Sequence, residues 1–380
     1  MRWVIAAIAG FGLLGSAASA AAKDEWDAPQ PAWEGVWRGT VGTLPVHVCL
    51  DHTPYTEKGA YYYDRSKRLL RLVRGKAEGE WFEQETDDKN GARWRLTAKG
   101  GELAGTWSEG RKSLPVRLAR IGGPSRDYDG PCGSMAFHRP RIGPVRLTAK
   151  AGVKDGNRFT TWTFKPSPWL SDEVAISTFT LDRPGAAVAR VNTILRSVLP
   201  KRDATGEWLE CVAGNANTHG SDGSFYQAIE PQVISNIWLG ANENGEYYCG
   251  GPHPENFNHP RTFHLGRGVE VDPRDWFLPS AVKREDLGGN YGLYKTLTPA
   301  FVAMILEEWK PGGDEQDQEC REATLTQESW SVGIARGALV FSPNFPRVIM
   351  ACGDDYKVPF AKLQPWLNAE GKAAVATLPR

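Results

Sequence analysis

The chain has 380 residues with 45 Lys+Arg against 45 Asp+Glu, a formal net charge of +0 at pH 7. That balance argues against a nucleic-acid partner, whose phosphates are held mainly by clustered Lys and Arg. The length leaves room for two domains, and 41 Gly, 26 Pro and 15 Trp against 4 Met favour a turn-rich β architecture.

Residues 1–20 read as a secretory signal peptide: Met1-Arg2, an uncharged run from Val4 to Leu14, then Ala18-Ser19-Ala20 before the charged Lys23-Asp24-Glu25. The apolar run is shorter than the roughly 20 residues that span a bilayer, so no stable membrane span is expected. No cysteine marks a lipoprotein cleavage site. Removing these residues takes away one basic group, Arg2, and leaves 44 Lys+Arg against 45 Asp+Glu in the mature chain. The expected location is the periplasm or the medium. Six cysteines remain, Cys49, Cys132, Cys211, Cys249, Cys320 and Cys352, an even number that in an exported chain reads as disulfides. Sequential pairing is the simplest arrangement.

Residues 24–121 read as one antiparallel β domain, a meander or open barrel. In "LPVHVCL", Leu44, Val46, Val48 and Leu50 alternate with Pro45, His47 and Cys49, the period of a strand. "ARWRLT" and "SLPVRLARI" repeat the pattern, punctuated by glycine clusters. Gly35-Val36-Trp37 and Gly105-Thr106-Trp107 open two strands and resemble the G-x-W start of lipocalin-like meanders. That resemblance implies a barrel able to take a small apolar ligand. Residues 122–143, dense in Gly, Pro and Arg, read as a linker.

From 144 to 380 the pattern becomes α+β, an antiparallel sheet packed with two or three helices. Val188, Val191, Leu195 and Val198 share one helical face. "TPAFVAMILEEWK" opens with Thr298 as N-cap and Pro299 in the first turn. Strands are predicted at "QVISNIWLGA", "GEYYCGG", "SWSVGIARGALVFSP" and "RVIMACG", with a last short helix in "PFAKLQPWL". The run Asp314–Glu319 reads as a solvated loop, lacking the glycine and closing glutamate of a calcium-binding EF-hand loop.

The order of motifs in this half resembles an extracytoplasmic domain family of unknown function. The elements are a helix with "RVNTIL", a strand ending "YYCGGPHP", "RTFHLGRGVEVDPRDWF", and finally "ALVFSPNFPRVIMACGDDYKVPFAKLQPWL". The family occurs in the lysozyme-sensing anti-sigma factor of Gram-positive bacteria and in the non-catalytic region of a peptidoglycan deacetylase. Gly250-Gly251-Pro252-His253 matches its turn, Phe263 to Phe277 its second element, and Val358-Pro359-Phe360 to Leu363 its last, over roughly residues 155–370. Ahead of the apolar run stand only Met1 to Trp3, too little to hold a sigma factor, and no deacetylase domain is expected. The resemblance implies an exported domain associated with the cell envelope, with no activity attached.

"YCGGPHPENFNHP" (248–260) concentrates the chemistry. Cys249, His253 and His259 could suggest zinc, but an oxidised sulfur is a poor ligand and no H-E-x-x-H is present. His253 and His259 each precede proline, which favours extended backbone. The candidate ligand contacts are His253, Glu255, Asn256 and His259. No catalytic residue, metal or cofactor is assigned, because no G-x-S-x-G, P-loop or S-x-x-K motif is present. Adjacent Asp354 and Asp355 read as a polar turn, since neighbours on a strand point to opposite faces. The expected function is capture of an envelope protein, lysozyme-like proteins among them, or a glycan. The alternatives are an envelope hydrolase using His253 as general acid/base and apolar-ligand binding in the β domain.

Overall fold

The computed structural model describes residues 30–53, 56–86, 89–124, 130–201, 206–289, 292–309 and 315–380. The signal-peptide reading and Asp314 lie outside the described residues.

The amino-terminal strands are β1 (Gly35–Val41), β2 (Leu44–Thr53), β3 (Thr56–Tyr63), β4 (Leu70–Arg74), β5 (Glu80–Thr86), β6 (Lys89–Lys99), β7 (Glu102–Glu109) and β8 (Lys112–Gly122). They form an antiparallel meander that closes, β1 pairing with β8, into an eight-stranded barrel. The open barrel or meander expected from alternation is thus a closed one. Eight strands leave an interior just wide enough for side chains. Here it is filled: Trp37, Tyr61, Trp81, Trp94 and Trp107 pack with Val46, Val48, Leu72 and Leu103. Both tryptophans of the G-x-W openings belong to this core. Glu83 supplies its polar centre, where Oε1 accepts from Tyr61 OH (2.7 Å), Trp94 Nε1 (3.1 Å) and Trp107 Nε1 (2.6 Å). Burial, reinforced by that carboxylate, pushes the Tyr61 phenol pKa upward.

The stretch expected to be an irregular linker is ordered over 130–142 as two short helices, α1 (Gly130–Gly133) and α2 (Met135–Ile142). It is apolar on both sides. Phe137 is buried with Tyr62 of the barrel, and Ile142 is buried with Phe164, Leu170 and Trp208 beyond it. Composition alone missed this because Pro131 and Pro140 weaken the helical signal while tertiary burial overrides it.

The carboxy-terminal part begins with β9 (Arg146–Lys154), β10 (Asn157–Lys165), β11 (Val174–Leu181), α3 (Ala186–Arg196) and α4 (Glu207–His219). These are followed by β12 (Ser224–Ile234), β13 (Trp238–Tyr248), β14 (Glu255–His264) and β15 (Val269–Val271). The strands make one seven-stranded sheet, order β15-β14-β13-β12-β11-β10-β9. All its pairings are antiparallel except β11 with β12, which run parallel because α3 and α4 form the crossover between them. Val188, Val191 and Leu195 of α3 are buried against the sheet, as their periodicity predicts.

Next come β16 (Val282–Asp286), β17 (Leu293–Leu297), α5 (Pro299–Ile305), α6 (Glu315–Thr326), β18 (Trp330–Ala335) and β19 (Ala338–Pro343). The chain ends with β20 (Tyr356–Pro359), α7 (Phe360–Leu363) and α8 (Ala369–Thr377). Thr298 caps α5, accepting from the Phe301 N–H, with Pro299 in its first turn. Strands β18, β19 and β20 form a three-stranded sheet. It shares a core with the helices around it through Trp276, Phe301, Trp330, Phe341 and Val358.

Two local expectations are corrected. Residues 315–319 open helix α6 instead of a loop, in keeping with the strong helix formers Glu, Gln, Arg, Ala and Leu that continue it. "RVIMAC" (347–352) is a 3-10 segment, not a strand; it has no partner strand and its Val348 is 89% exposed. Cys211 sits on helix α4, which the sequence pattern does not mark because Gly214, Asn215 and Asn217 are poor helix formers.

Candidate functional site

Disulfides join Cys49 to Cys132, Cys211 to Cys249 and Cys320 to Cys352, in sequential order. The second fixes the start of the "CGGPHP" turn to helix α4. Gly250 carries φ +98°, a conformation open to glycine alone among common residues, and it turns the chain out of β13. His219 at the end of α4 lies 3.3 Å from both the Gly250 carbonyl and the Tyr248 hydroxyl, a second tie on the same turn.

The candidate ligand contacts divide into two pairs. His253 and Glu255 face each other, Nδ1 to Oε1 3.1 Å, with side chains 47% and 42% exposed. Asn256 and His259 lie further along β14, on the wall of a cleft of about 390 Å³. Across it stand Asn344, Phe345, Met350 and Asp355, from the end of β19 and the segment that leads to β20. A hydrogen bond from the Arg347 guanidinium to the Pro254 carbonyl joins that segment to the turn holding His253.

A second cleft of about 360 Å³ continues the first. It is lined by Gln232, Asn242, Pro260, Arg336 and Lys357, and shares Ser342 and Asp355 with its neighbour. The two form one groove where the three-stranded sheet meets β12, β13 and β14. What brings these sheets together is a close approach at Gly333. A Cβ there would lie 2.6 Å from the Pro260 Cβ, so any larger residue would push the strands apart. Pairing of β13 with β14 sets Asn242 opposite Pro260, Asn244 opposite Asn258 and Glu246 opposite Asn256, so the amides of Asn242, Asn244, Asn256 and Asn258 share one face.

Charges along the groove are largely balanced. Arg336 donates to Asp155 at 2.6 Å, while the Ile234 N–H donates to the other carboxylate oxygen at 2.9 Å. Burial works to raise the Asp155 carboxyl, but these donors outweigh it and hold the group below the usual carboxylate range. Asp355 accepts from Ser342 Oγ at 2.5 Å and shares the groove with Lys357. The His259 ring lies 5.4 Å from that of Phe257. Among the described residues no hydrogen bond joins His259 to Ser342 or Asp355, and no group of three His, Cys, Asp or Glu side chains is placed to hold a metal ion. His264, close to the cysteine-histidine stretch in sequence, packs on Trp238 with ring centroids 4.7 Å apart.

Sequence reasoning missed Phe257, Asn258, Ser342 and Asn344 as groove residues, and set Asp355 aside as a turn. The alternating Asn256-Phe257-Asn258-His259 carried a signal of its own: amides and rings in strict turn on a strand. Nothing local could join it to residues near 344 and 355.

No protein-family model matches the chain, and no curated protein matches it. Among solved structures, a DUF3298 family protein from Pseudomonas aeruginosa PAO1 aligns with 14% identity and a TM-score of 0.35, over 60% of this chain and 96% of that one. A member of the same family from Bacteroides fragilis NCTC 9343 aligns with 10% identity and a TM-score of 0.30, over 62% of this chain and 98% of that one.

Proposed function

We propose that this is an exported, non-enzymatic protein that binds a cell-envelope protein or glycan through the groove of its carboxy-terminal part. The amino-terminal leader pattern and the three disulfides support export, since such bonds persist in oxidising compartments. No helix among the described residues is long and apolar enough to cross a membrane. The observation that carries the binding reading is the state of the groove's reactive groups. Ser342 donates a hydrogen bond to Asp355, among the described residues no histidine bonds to either of them, and His259 stands against Phe257. Acid–base or nucleophilic catalysis needs those groups in hydrogen-bond reach of one another. Amides and hydroxyls that can both donate and accept suit recognition instead.

The test is capture by the immobilised mature protein from envelope extracts, muropeptide mixtures and lysozymes, run beside a hydrolysis assay on peptidoglycan fragments. Retention of a partner without turnover is expected. Hydrolysis by the wild type that disappears in His253→Ala would establish the hydrolase in its place.

A further inference from the structure

We infer that the groove accepts an uncharged oligosaccharide segment, a ligand class that rests on the binding reading above. Three independent features converge on that chemistry. The first is the donor and acceptor set. Asn242, Asn256 and Asn258 each offer a carbonyl and an amide NH₂, Asn344 is held by Ser329 and Ser331, and Asp355 offers a carboxylate at the point where the two clefts join. Sugar hydroxyls both donate and accept, so a run of amides around one carboxylate can satisfy neighbouring hydroxyls without leaving a charge unpaired.

The second feature is a row of rings. Tyr247 and Phe257 lie 6.3 Å apart, and Phe257 and His259 5.4 Å apart, so the row leads along the strands to the cleft wall. Aromatic faces are apolar, with a polar atom at the tip of Tyr and His. They match the apolar C–H faces of pyranose rings. Because Phe257 and His259 alternate with Asn256 and Asn258 along β14, rings and amides lie on opposite faces of the strand and would hold different sugar units at its exposed edge.

The third is charge. Arg336 is engaged with Asp155, and Asp355 and Lys357 line the same cleft with opposite charges, so the groove carries little net charge towards an anionic or cationic polymer. A peptide added as an extra strand is the competing occupant, because from Glu255 to Arg261 β14 pairs with β13 alone and β15 joins only from Thr262. Pro254 and Pro260 bracket that edge, and proline blunts strand addition. That leaves about five residues of usable edge, too few to favour a peptide. The clefts, at about 390 and 360 Å³, each fall in the range of small-molecule sites, ~300–1,000 Å³.

Saturation-transfer NMR and calorimetry on the mature, disulfide-intact protein with cellotetraose, chitotetraose and maltotetraose test the inference. At least one should bind saturably. Asp355→Ala should weaken it by about tenfold, the scale of a hydrogen bond to a charged group, and Asn258→Ala by about threefold, the scale of a neutral one. Glu370→Gln, at a different cleft beside Trp276, should leave it unchanged. Thermal melts that match wild type exclude misfolding of the variants. Absence of binding up to millimolar sugar, equal binding by wild type and both groove variants, or occupation of the same site by a strand-forming peptide and not by sugar each overturns the inference. If protein from envelope extracts is still captured while no sugar binds, only the ligand class falls. If neither is captured, the binding reading falls with it.

Discussion

Arg141 and Asp222 form a two-pronged ion pair, Nη1 to Oδ1 2.7 Å and Nη2 to Oδ2 2.6 Å, with the arginine side chain 1% exposed. The same guanidinium donates through Nε to the Lys67 carbonyl of the barrel at 2.9 Å. One side chain from α2 therefore holds the barrel, the connecting helices and the approach to β12 together. Lys67 reciprocates by donating to the Pro140 carbonyl at 2.6 Å.

Arg141→Ala is expected to cost roughly 3–5 kcal/mol, because it strands the Asp222 carboxylate and the Lys67 carbonyl without their partner. Chemical denaturation should show the single transition of the wild type splitting, with the barrel and the carboxy-terminal part unfolding separately. A piece spanning 143–380, which a true linker would allow to stand alone, should be less stable than the same region in the full chain. A loss below about 1 kcal/mol on removing Arg141 would contradict this account.

Removing the Cys49–Cys132 bond, as in a Cys49→Ser/Cys132→Ser variant, frees α1 from the barrel wall. Closing a loop between residues 83 apart in sequence should contribute roughly 2–4 kcal/mol. Proteolysis should then reach the 130–142 helices first. Mass spectrometry of exported protein should detect no free thiol, and an alkylatable Cys249 would count against the structure.

His138 gives a pH prediction with a definite sign. Its ring is 1% exposed and lies 2.7 Å from the Cys132 carbonyl, and burial, helped by the Arg141 charge, lowers its pKa to about 4. The fold thus favours the neutral ring, whereas the unfolded chain protonates near the ordinary value of about 6.5. Stability is unaffected above that value, falls as the pH drops through the window from about 6.5 to 4, and levels off below it. The loss across the window should be roughly 3 kcal/mol. Denaturation midpoints measured from pH 7 to pH 4 for wild type and His138→Asn decide the matter. The variant's dependence should be flatter by about one proton, and parallel curves would refute the assignment.

Gly333→Val should open the seam between the two sheets. Its side chain would collide with Pro260, and overpacking of this kind costs about 1–3 kcal/mol. Capture of the partner should weaken more than stability does, because Ser342 and Asp355 would shift away from Asn256 and Asn258. Unaltered capture would place the binding surface elsewhere.

Alternation and composition by themselves specified a good deal. Leu44, Val46, Val48 and Leu50 alternate on a two-residue period that permits one pairing face, and the strand over them follows. Val188, Val191 and Leu195 repeat at helical spacing and bury one face of α3. Thr298 ahead of Pro299 marks a helix start that the backbone adopts. An even set of cysteines behind a leader pattern implies disulfides, and the pairs formed are sequential. These signals are local, so they survive without knowledge of the rest of the chain.

Tertiary structure alone decided the remainder. Helix α4 contains Gly214, Asn215 and Asn217, whose propensities oppose it, and it forms because Trp208, Leu209 and Val212 are buried against the sheet. Residues 130–142 look like a linker until Phe137 and Ile142 find separate cores on either side. Strands β11 and β12 run parallel because two helices carry the chain back between them, a geometry that no strand pattern encodes. The groove has the same origin. Asn256 and Asp355 lie about a hundred positions apart and meet only because Gly333 lets β18 settle onto Pro260. A contact between sheets depends on the shape of both surfaces, and neither surface exists until each sheet has folded.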